Sequence, residues 1–112
     1  MNSPISIKCW NIETSGSHIP NFELFQQFKG SVSKLDVNVI GDVTHEFENG
    51  GFTGLLLLAE SHAAIHTWPE NNYIWVELAT CGDPKDLFRL EGLINEWPFV
   101  ENVNAESGQN NG

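Results

Sequence analysis

The sequence predicts an α+β protein: a two-layer α/β sandwich with a mainly antiparallel sheet and both helices on one face. Several short apolar runs are separated by turn signals, "NGG" at 49–51 and "PENN" at 69–72, which is typical of strands joined by tight connections. Two other segments, far apart in the chain, carry apolar residues at helical spacing. Strands in series with helices in separate places favour the α+β class, with the second sheet face or an edge left for a partner chain.

The first strand is predicted in "PISIKCWNI", where Ile5, Ile7 and Cys9 alternate with Ser6, Lys8 and Trp10. This pattern makes Cys9 a small core residue. Four apolar residues at near-helical spacing predict the first helix: Phe22, Phe25, Phe28 and Val32.

The middle of the chain predicts four further strands. "LDVNVIGDVTHEFE" reads as a long strand with a bulge at Gly41, and "FTGLLLLAE" as a central buried strand. "HAAIHTW" is a short extended piece, and "YIWVELATC" is the strand that follows.

The second helix is predicted to open with Asp83 as its N-cap and Pro84 as its first residue. Its apolar stripe consists of Leu87, Leu90 and Ile94. "PFVENV" suggests a short last strand, and the polar segment after it suggests a disordered tail. We therefore expect a single domain over residues 1–103 and a disordered tail over 104–112.

The charge balance excludes some partners. Five basic and fifteen acidic residues give a formal net charge of −10, which argues against nucleic acid and anionic membranes because phosphates bind clustered Lys and Arg. A cationic small ligand fits better. The sequence has no eighteen-residue apolar run and no signal-peptide pattern, and its two cysteines are too few for a disulfide scaffold. These features predict a cytoplasmic protein with free thiols.

The stretch "LAESHAAIHTWPENN", residues 58–72, crowds polar and aromatic side chains directly after the most apolar run. Three interpretations are open from residue types alone. His62 and His66 could bind a metal with Cys81 or Glu70. They could instead be satisfied polar groups in a sheet. In the third interpretation Ser61 or Cys81 is an activated nucleophile or acid, with a histidine for proton transfer.

A longer pattern selects among these interpretations. "ESHAAIHTWPE" followed by "TCGD", with "HEFENGGFTGLLLLAESH" upstream, resembles the processing and active-site segment of bacterial-type S-adenosylmethionine decarboxylases, which depend on a pyruvoyl group. The resemblance covers residues 43–83. It implies that the chain cuts itself between 60 and 61, and that no metal is needed.

The resemblance assigns the processing residues. Ser61 is the precursor of the pyruvoyl cofactor, and its hydroxyl would attack the carbonyl of Glu60. His66 would remove the proton, assisted by the hydroxyl of Thr53, where the family usually has Ser. The processed chain would hold its substrate as a Schiff base, and Cys81 would return a proton after loss of CO₂.

The resemblance also implies the substrate and the assembly. Phe47 and Trp68 match an adenine clamp, Glu70 matches a ribose ligand, and Glu60 would lie near the adenine. The implied activity is decarboxylation of S-adenosylmethionine for spermidine synthesis, by a homodimer of processed protomers that share active-site residues. Two alternatives are the same chemistry on ornithine or arginine, and a non-processing homologue that acts as a binding partner.

The sequence departs from the family at several positions beside the motif. Ala63 and Ala64 stand where larger or hydroxylated residues are usual, and Trp75 stands where a small residue is common. These departures are expected to change the shape of the substrate pocket.

Overall fold

The computed structural model describes residues 5–16, 19–81 and 83–107. The elements follow in the order β1 (Ser6–Thr14), α1 (Asn21–Ser33), β2 (Val39–Glu46), β3 (Phe52–Leu58), β4 (His62–Trp68), β5 (Tyr73–Thr80), α2 (Lys85–Asn95) and β6 (Val100–Ser107). A short 3₁₀ turn, Pro69–Asn71, connects β4 to β5. The predicted α+β class is confirmed.

The six strands form one antiparallel sheet in the order β2-β3-β4-β5-β1-β6. Strands β2 to β5 follow each other as a meander. Strand β1 then lies between β5 and β6, so that Trp10 pairs with Val76 on one side and with Ala105 on the other. The first strand of the chain is therefore enclosed by strands from the second half of the chain.

Both helices cover one face of this sheet, as predicted. The buried helix residues that pack on the sheet are Leu24, Phe25, Phe28, Val32, Leu87, Leu90 and Ile94. Burying one side chain of this size contributes roughly 1.5–3 kcal/mol, so this layer supplies much of the stability. The opposite face, which we call the open face, has no helix over it. Neither helix in the described residues is long and apolar enough to cross a bilayer.

The orientation of β1 differs from the prediction. Trp10 and Ile12 face the helices and are fully buried, whereas Cys9 is half-buried on the open face. The Trp10 indole N–H donates to Glu91 Oε1 of α2 at 2.9 Å, and Lys8 Nζ lies 3.0 Å from the same oxygen. These two donors lower the pKa of Glu91, the indole contributing most. A tryptophan whose polar atom has a partner is buried readily, and this decides the face.

The predicted tail is wrong for residues 104–107. They continue β6, which pairs with β1 so that Cys9 lies opposite Glu106. The side chain of Asn11 donates to Glu106 Oε1 at 2.7 Å. An edge strand is stabilised by backbone hydrogen bonds to one neighbour and needs no apolar alternation, so its polar sequence is misleading. Residues 108–112 lie outside the described residues.

Smaller predictions have mixed outcomes. The register of β2 against β3 shifts between Val39 and Gly41, which confirms the bulge. The prediction that Phe22 belongs to the apolar stripe of α1 is wrong, because Phe22 is 73% exposed and Leu24 is buried in the core instead. Helix α2 begins at Lys85, one residue later than predicted, although Asp83 Oδ1 still accepts a hydrogen bond from the Lys85 N–H at 2.9 Å.

Substituting Gly54 tests how tightly α1 packs on the sheet. A Cβ at this position would lie 2.6 Å from two ring carbons of Phe25, so Gly54→Ala is expected to lower the free energy of unfolding by about 1–3 kcal/mol. Gly92→Ala is the matched control, because Gly92 is exposed in α2 with open space around it and should gain roughly 1 kcal/mol. Urea unfolding of both variants measures the difference. Equal shifts in the two would contradict the close contact.

Candidate active site

The first group of predicted site residues lies at the hairpin between β3 and β4. The backbone N–H of Leu58 donates to the carbonyl of Ser61 at 3.0 Å, which leaves Ala59 and Glu60 as the two-residue tip. The N–H of Ala59 donates to the carbonyl of Asn38 at 3.0 Å and so fixes the tip to the segment before β2. The peptide bond between Glu60 and Ser61 is therefore held in a tight turn.

Cys81 reaches this hairpin from the end of β5. Because Ala79 pairs with His62, the chain after β5 runs beside the turn. The Cys81 thiol donates to the carbonyl oxygen of Glu60, with 3.2 Å between Sγ and O. Glu60, Ser61 and Cys81 are thus brought together, and we call them the hairpin group.

A cavity of about 140 Å³ adjoins the hairpin group. Its lining also includes Asp36, Asn38 and Thr80. No sequence pattern points to Asp36 or Asn38, because both lie in an irregular segment before β2 whose position depends on contacts with residues distant in the sequence, Asp86 and Ala59. The cavity gives the half-buried Ser61 side chain access to small molecules such as water.

The second group lies at the other end of β4, on the open face. Thr53 of β3 is directly opposite His66, and Thr53 Oγ1 is 3.0 Å from His66 Nδ1. The ring of Trp75, opposite His66 on β5, is 5.5 Å from the imidazole, and that of Trp68 is 6.1 Å away. We call Thr53, His66 and their aromatic neighbours the histidine group.

A cleft of about 310 Å³ opens beside the histidine group. Phe47 and Trp68 line it and are 50% and 39% exposed, so neither ring is buried in the core. Glu70 lies nearby in the 3₁₀ turn, where its Oε2 accepts a hydrogen bond from Asn49 Nδ2 at 2.9 Å. The cleft therefore combines two accessible rings and an amide, with the Glu70 carboxylate hydrogen-bonded to that amide.

The structure does not bring the two groups together within one chain. Ser61 precedes β4 and His66 lies near its far end, five residues later. At the rise of an extended strand this separation is about 16 Å. His66 is too far from the Glu60–Ser61 peptide of its own chain to exchange a proton with it.

The open face between the two groups is apolar. Val43, Leu55 and Leu57 are 58%, 41% and 55% exposed, and they line a hollow of about 580 Å³. Large aliphatic side chains at this exposure, adjacent to one another, are typical of a surface that another protein covers. We call this the aliphatic patch.

Beyond the aliphatic patch, the open face becomes acidic. His62 Nε2 is 2.9 Å from Glu77 Oε2, and the thiol of Cys9 lies 3.7 Å from Glu77 Oε1. Burial, followed by the neighbouring Glu77 carboxylate, raises the pKa of Cys9 to about 11. Within the described residues, no three His, Cys, Asp or Glu side chains are arranged to hold a metal ion.

The structure locates the three positions at which the sequence departs from the family pattern. Ala63 is fully buried in the helix-side core, so it cannot shape a pocket on the open face. Ala64 lies on the open face opposite Leu55, beside the aliphatic patch. Trp75 contacts His66 directly and is outside the lining of the cleft.

The fold and the site define a two-layer α+β sandwich with a serine–cysteine pair at a hairpin tip and a histidine–aromatic cleft on the open sheet face. The chain belongs to the S-adenosylmethionine decarboxylase family, whose profile matches residues 22–96. The resemblance drawn from the motif is thereby confirmed.

Individual relatives agree with this assignment. The S-adenosylmethionine decarboxylase proenzyme of Prochlorococcus marinus (strain MIT 9313) is 66% identical over 53 residues, covering 47% of this chain and 42% of that protein. The proenzyme of Aquifex aeolicus (strain VF5) is 39% identical over 72 residues, covering 64% and 53%. The crystal structure of the adenosylmethionine decarboxylase from Aquifex aeolicus VF5 matches with a TM-score of 0.77 and 28% identity, covering 93% of this chain and 87% of that one. The chain spans about half the length of the curated relatives that it matches.

Proposed function

We propose that this protein cuts itself between residues 60 and 61 and then decarboxylates S-adenosylmethionine, yielding a product for spermidine synthesis. The observation that carries the proposal is the 3.2 Å contact between Cys81 Sγ and the carbonyl oxygen of Glu60. A thiol donor aimed at one particular backbone carbonyl, beside a serine, is what an acyl shift at that peptide requires.

The cut begins with the hydroxyl of Ser61. Its oxygen attacks the carbonyl carbon of Glu60, the C–N bond breaks, and an ester with a free amine results. Removal of the α-proton of residue 61 then expels the Glu60 carboxylate. Hydrolysis of the dehydroalanine that remains consumes water, releases ammonia and leaves a pyruvoyl group at the new N-terminus.

Cys81 has two tasks in this proposal. During the cut its S–H donates to the oxygen of Glu60, on which negative charge develops. After the cut the thiol stays beside residue 61 and returns a proton to the substrate carbon that has lost CO₂. A reduced thiol is needed for both tasks, which fits a cytoplasmic protein with free cysteines.

The pyruvoyl group fits the hairpin group, because Ser61 is half-buried beside a cavity and Cys81 is in contact with its neighbour. When formed, such a group supplies a carbonyl that condenses with an amine and withdraws electrons from the carbon that loses CO₂. The chain's own residues supply the binding, the orientation and the proton.

Proton removal is assigned to His66 of a second copy of the chain. A homodimer is supported by the separation of about 16 Å between Ser61 and His66 along β4. The two copies would face each other through their open faces, with a two-fold axis between the sheets. Where this axis passes over the middle of β4 at right angles to the strand, it places the β4 strands of the two copies in opposite directions. The His66 end of one copy then meets the Ser61 end of the other.

The aliphatic patch supports the same arrangement. Val43, Leu55 and Leu57 lie on the open face, where a facing sheet would cover them. The helices already cover the other face, so only the open face can bring the ring of His66 against another chain. Each active site would thus combine the hairpin group of one copy with the histidine group of the other.

The substrate assignment is supported by the cleft. Phe47 and Trp68 offer two accessible rings for an adenine, and Glu70 offers a carboxylate for the ribose hydroxyls. A sulfonium cation is attracted both by ring faces and by a chain with a formal net charge of −10. Glu60 is exposed at the hairpin tip, which agrees with its expected place beside the substrate.

CO₂ release tests the activity. Purified, processed protein is expected to release CO₂ from S-adenosylmethionine and not from ornithine or arginine in parallel assays. Cys81→Ala should reduce release by at least about 100-fold, since it removes the acid that returns a proton to the substrate carbon. Cys9→Ala is the matched control and should leave the rate unchanged. Faster release from ornithine or arginine would overturn the substrate, and no release from any of the three would overturn the decarboxylase.

A further inference from the structure

Three side chains form a row on the open face, across strands β3, β4 and β5. Thr53 of β3 pairs with His66 of β4, and His66 pairs with Trp75 of β5. Directly opposed residues on neighbouring antiparallel strands point to the same side and touch. His66 therefore has one neighbour on each flank, a hydroxyl on one side and an indole on the other.

The hydroxyl alone does not fix the imidazole. The 3.0 Å contact from Thr53 Oγ1 holds only Nδ1, and a hydroxyl can rotate to follow a ring that turns about that point. The χ2 torsion of histidine is broad, so ring orientation must come from packing. The other nitrogen, Nε2, has no hydrogen-bond partner among the described residues and is free to act.

Two indoles contact the imidazole, and they differ in their exposure and in whether they line the cleft. Trp68 lines the cleft, is 39% exposed, and is 6.1 Å from the ring of His66. Trp75 is closer, at 5.5 Å, is half-buried in the centre of the sheet, and does not line the cleft. An effect of Trp75 on His66 can therefore be separated from an effect on substrate binding.

We propose that Trp75 is a positioning residue that holds the His66 imidazole with Nδ1 on Thr53 and Nε2 directed away from its own sheet. This inference rests on the proposed function, because it assigns to the free Nε2 the proton removal that follows the acyl shift. The indole closes the space on the β5 side into which the imidazole could otherwise turn. It also keeps a single ring nitrogen bonded to Thr53.

The rate of the cut tests the positioning role. Trp75→Ala is expected to slow the appearance of the two chains about tenfold, since a displaced catalytic group loses much of its effect. Trp75→Phe keeps a ring beside His66 and should remain within about threefold of the unchanged protein. Phe88→Ala, which removes a 66% exposed ring from α2, is the matched control and should have no effect. A Trp75→Ala rate equal to that of Phe88→Ala would overturn the proposal.

A spectroscopic measurement on protein that cannot cut tests the positioning role of Trp75 independently of the cut. In Ser61→Ala protein, ¹⁵N NMR of the His66 ring should show one dominant tautomer, with the protonated and unprotonated nitrogens well separated. Adding Trp75→Ala should bring the two shifts toward each other, and adding Trp75→Phe should not. Unchanged His66 shifts in the Trp75→Ala background would overturn the positioning role. If the unaltered chain never cuts, the proposed function fails, and the NMR result still decides whether Trp75 holds the ring.

Discussion

Replacing Ser61 with alanine is expected to abolish the cut between residues 60 and 61, leaving a single chain of 112 residues at every time point. The unchanged protein should resolve into chains 1–60 and 61–112. The loss of cutting should be complete, because the Glu60 acyl group must move from the nitrogen of residue 61 to the side-chain oxygen of the same residue, and alanine has no such oxygen. Alanine keeps the turn, since the hydrogen bond from Leu58 uses the backbone carbonyl of residue 61 and not its side chain.

Intact mass spectrometry of denatured samples measures this directly. The mass of chain 61–112 also identifies the chemistry, because a chain that begins with a pyruvoyl group is lighter by one NH₃ than the same chain beginning with serine. Ser33→Ala, an exposed serine at the end of α1, is the matched control and should cut normally. A full-length mass for the unchanged protein after long incubation would remove self-processing, and a cut in Ser61→Ala would remove Ser61 as its origin.

Two variants that cannot cut alone are expected to restore the cut when produced together. Under the proposed function, His66→Ala keeps the hairpin group but lacks the base, whereas Ser61→Ala lacks the nucleophile but keeps the histidine group. In a mixed dimer, one of the two sites would combine the hairpin group of the His66→Ala chain with the histidine group of the Ser61→Ala chain. With random pairing, roughly half of the His66→Ala chain should be cut, and none of the Ser61→Ala chain.

The masses of the two variants differ, so one spectrum reports which chain was cut. His66→Ala produced together with the doubly substituted Ser61→Ala, His66→Ala chain is the control and should stay whole. Restoration in the first mixture and not in the second requires that His66 acts across the interface. If the His66→Ala chain stays whole in both mixtures although mixed dimers form, the shared site is wrong. Efficient cutting of His66→Ala alone would remove His66 as the base.

The fold was largely predictable where side-chain patterns are strong. The leucine run gave β3, the "NGG" turn gave the connection before it, and the stripe of Leu87, Leu90 and Ile94 gave α2. The first strand was placed with its faces reversed because Trp10 satisfies its indole N–H on Glu91, a contact 81 positions along the chain. The polar end of β6 was missed for a similar reason: its partner β1 is distant in sequence.

The motif predicts the candidate site as a set of residues but not as an arrangement. It names Ser61, His66 and Cys81, whose proximity in sequence suggests a compact cluster that strand geometry forbids. Extended chain separates Ser61 from His66, while the return of β5 brings Cys81 to Glu60. The contact between Trp75 and His66 depends on the register of β4 against β5, which single-strand patterns do not specify.

The place of β1 in the sheet has a consequence for the life of the protein. The proposed cut between 60 and 61 would assign β1, β2 and β3 to one polypeptide and β4, β5 and β6 to the other, although β1 lies between β5 and β6 in the sheet. The strands of the two polypeptides would alternate in the sheet, so the two could not separate without unfolding. Before the cut, folding is a reaction of one molecule; afterwards it would require two different chains to meet, at a rate that falls with dilution. A cut molecule that unfolds would therefore refold very slowly, and its working lifetime would be set by the rate of unfolding rather than by its equilibrium stability.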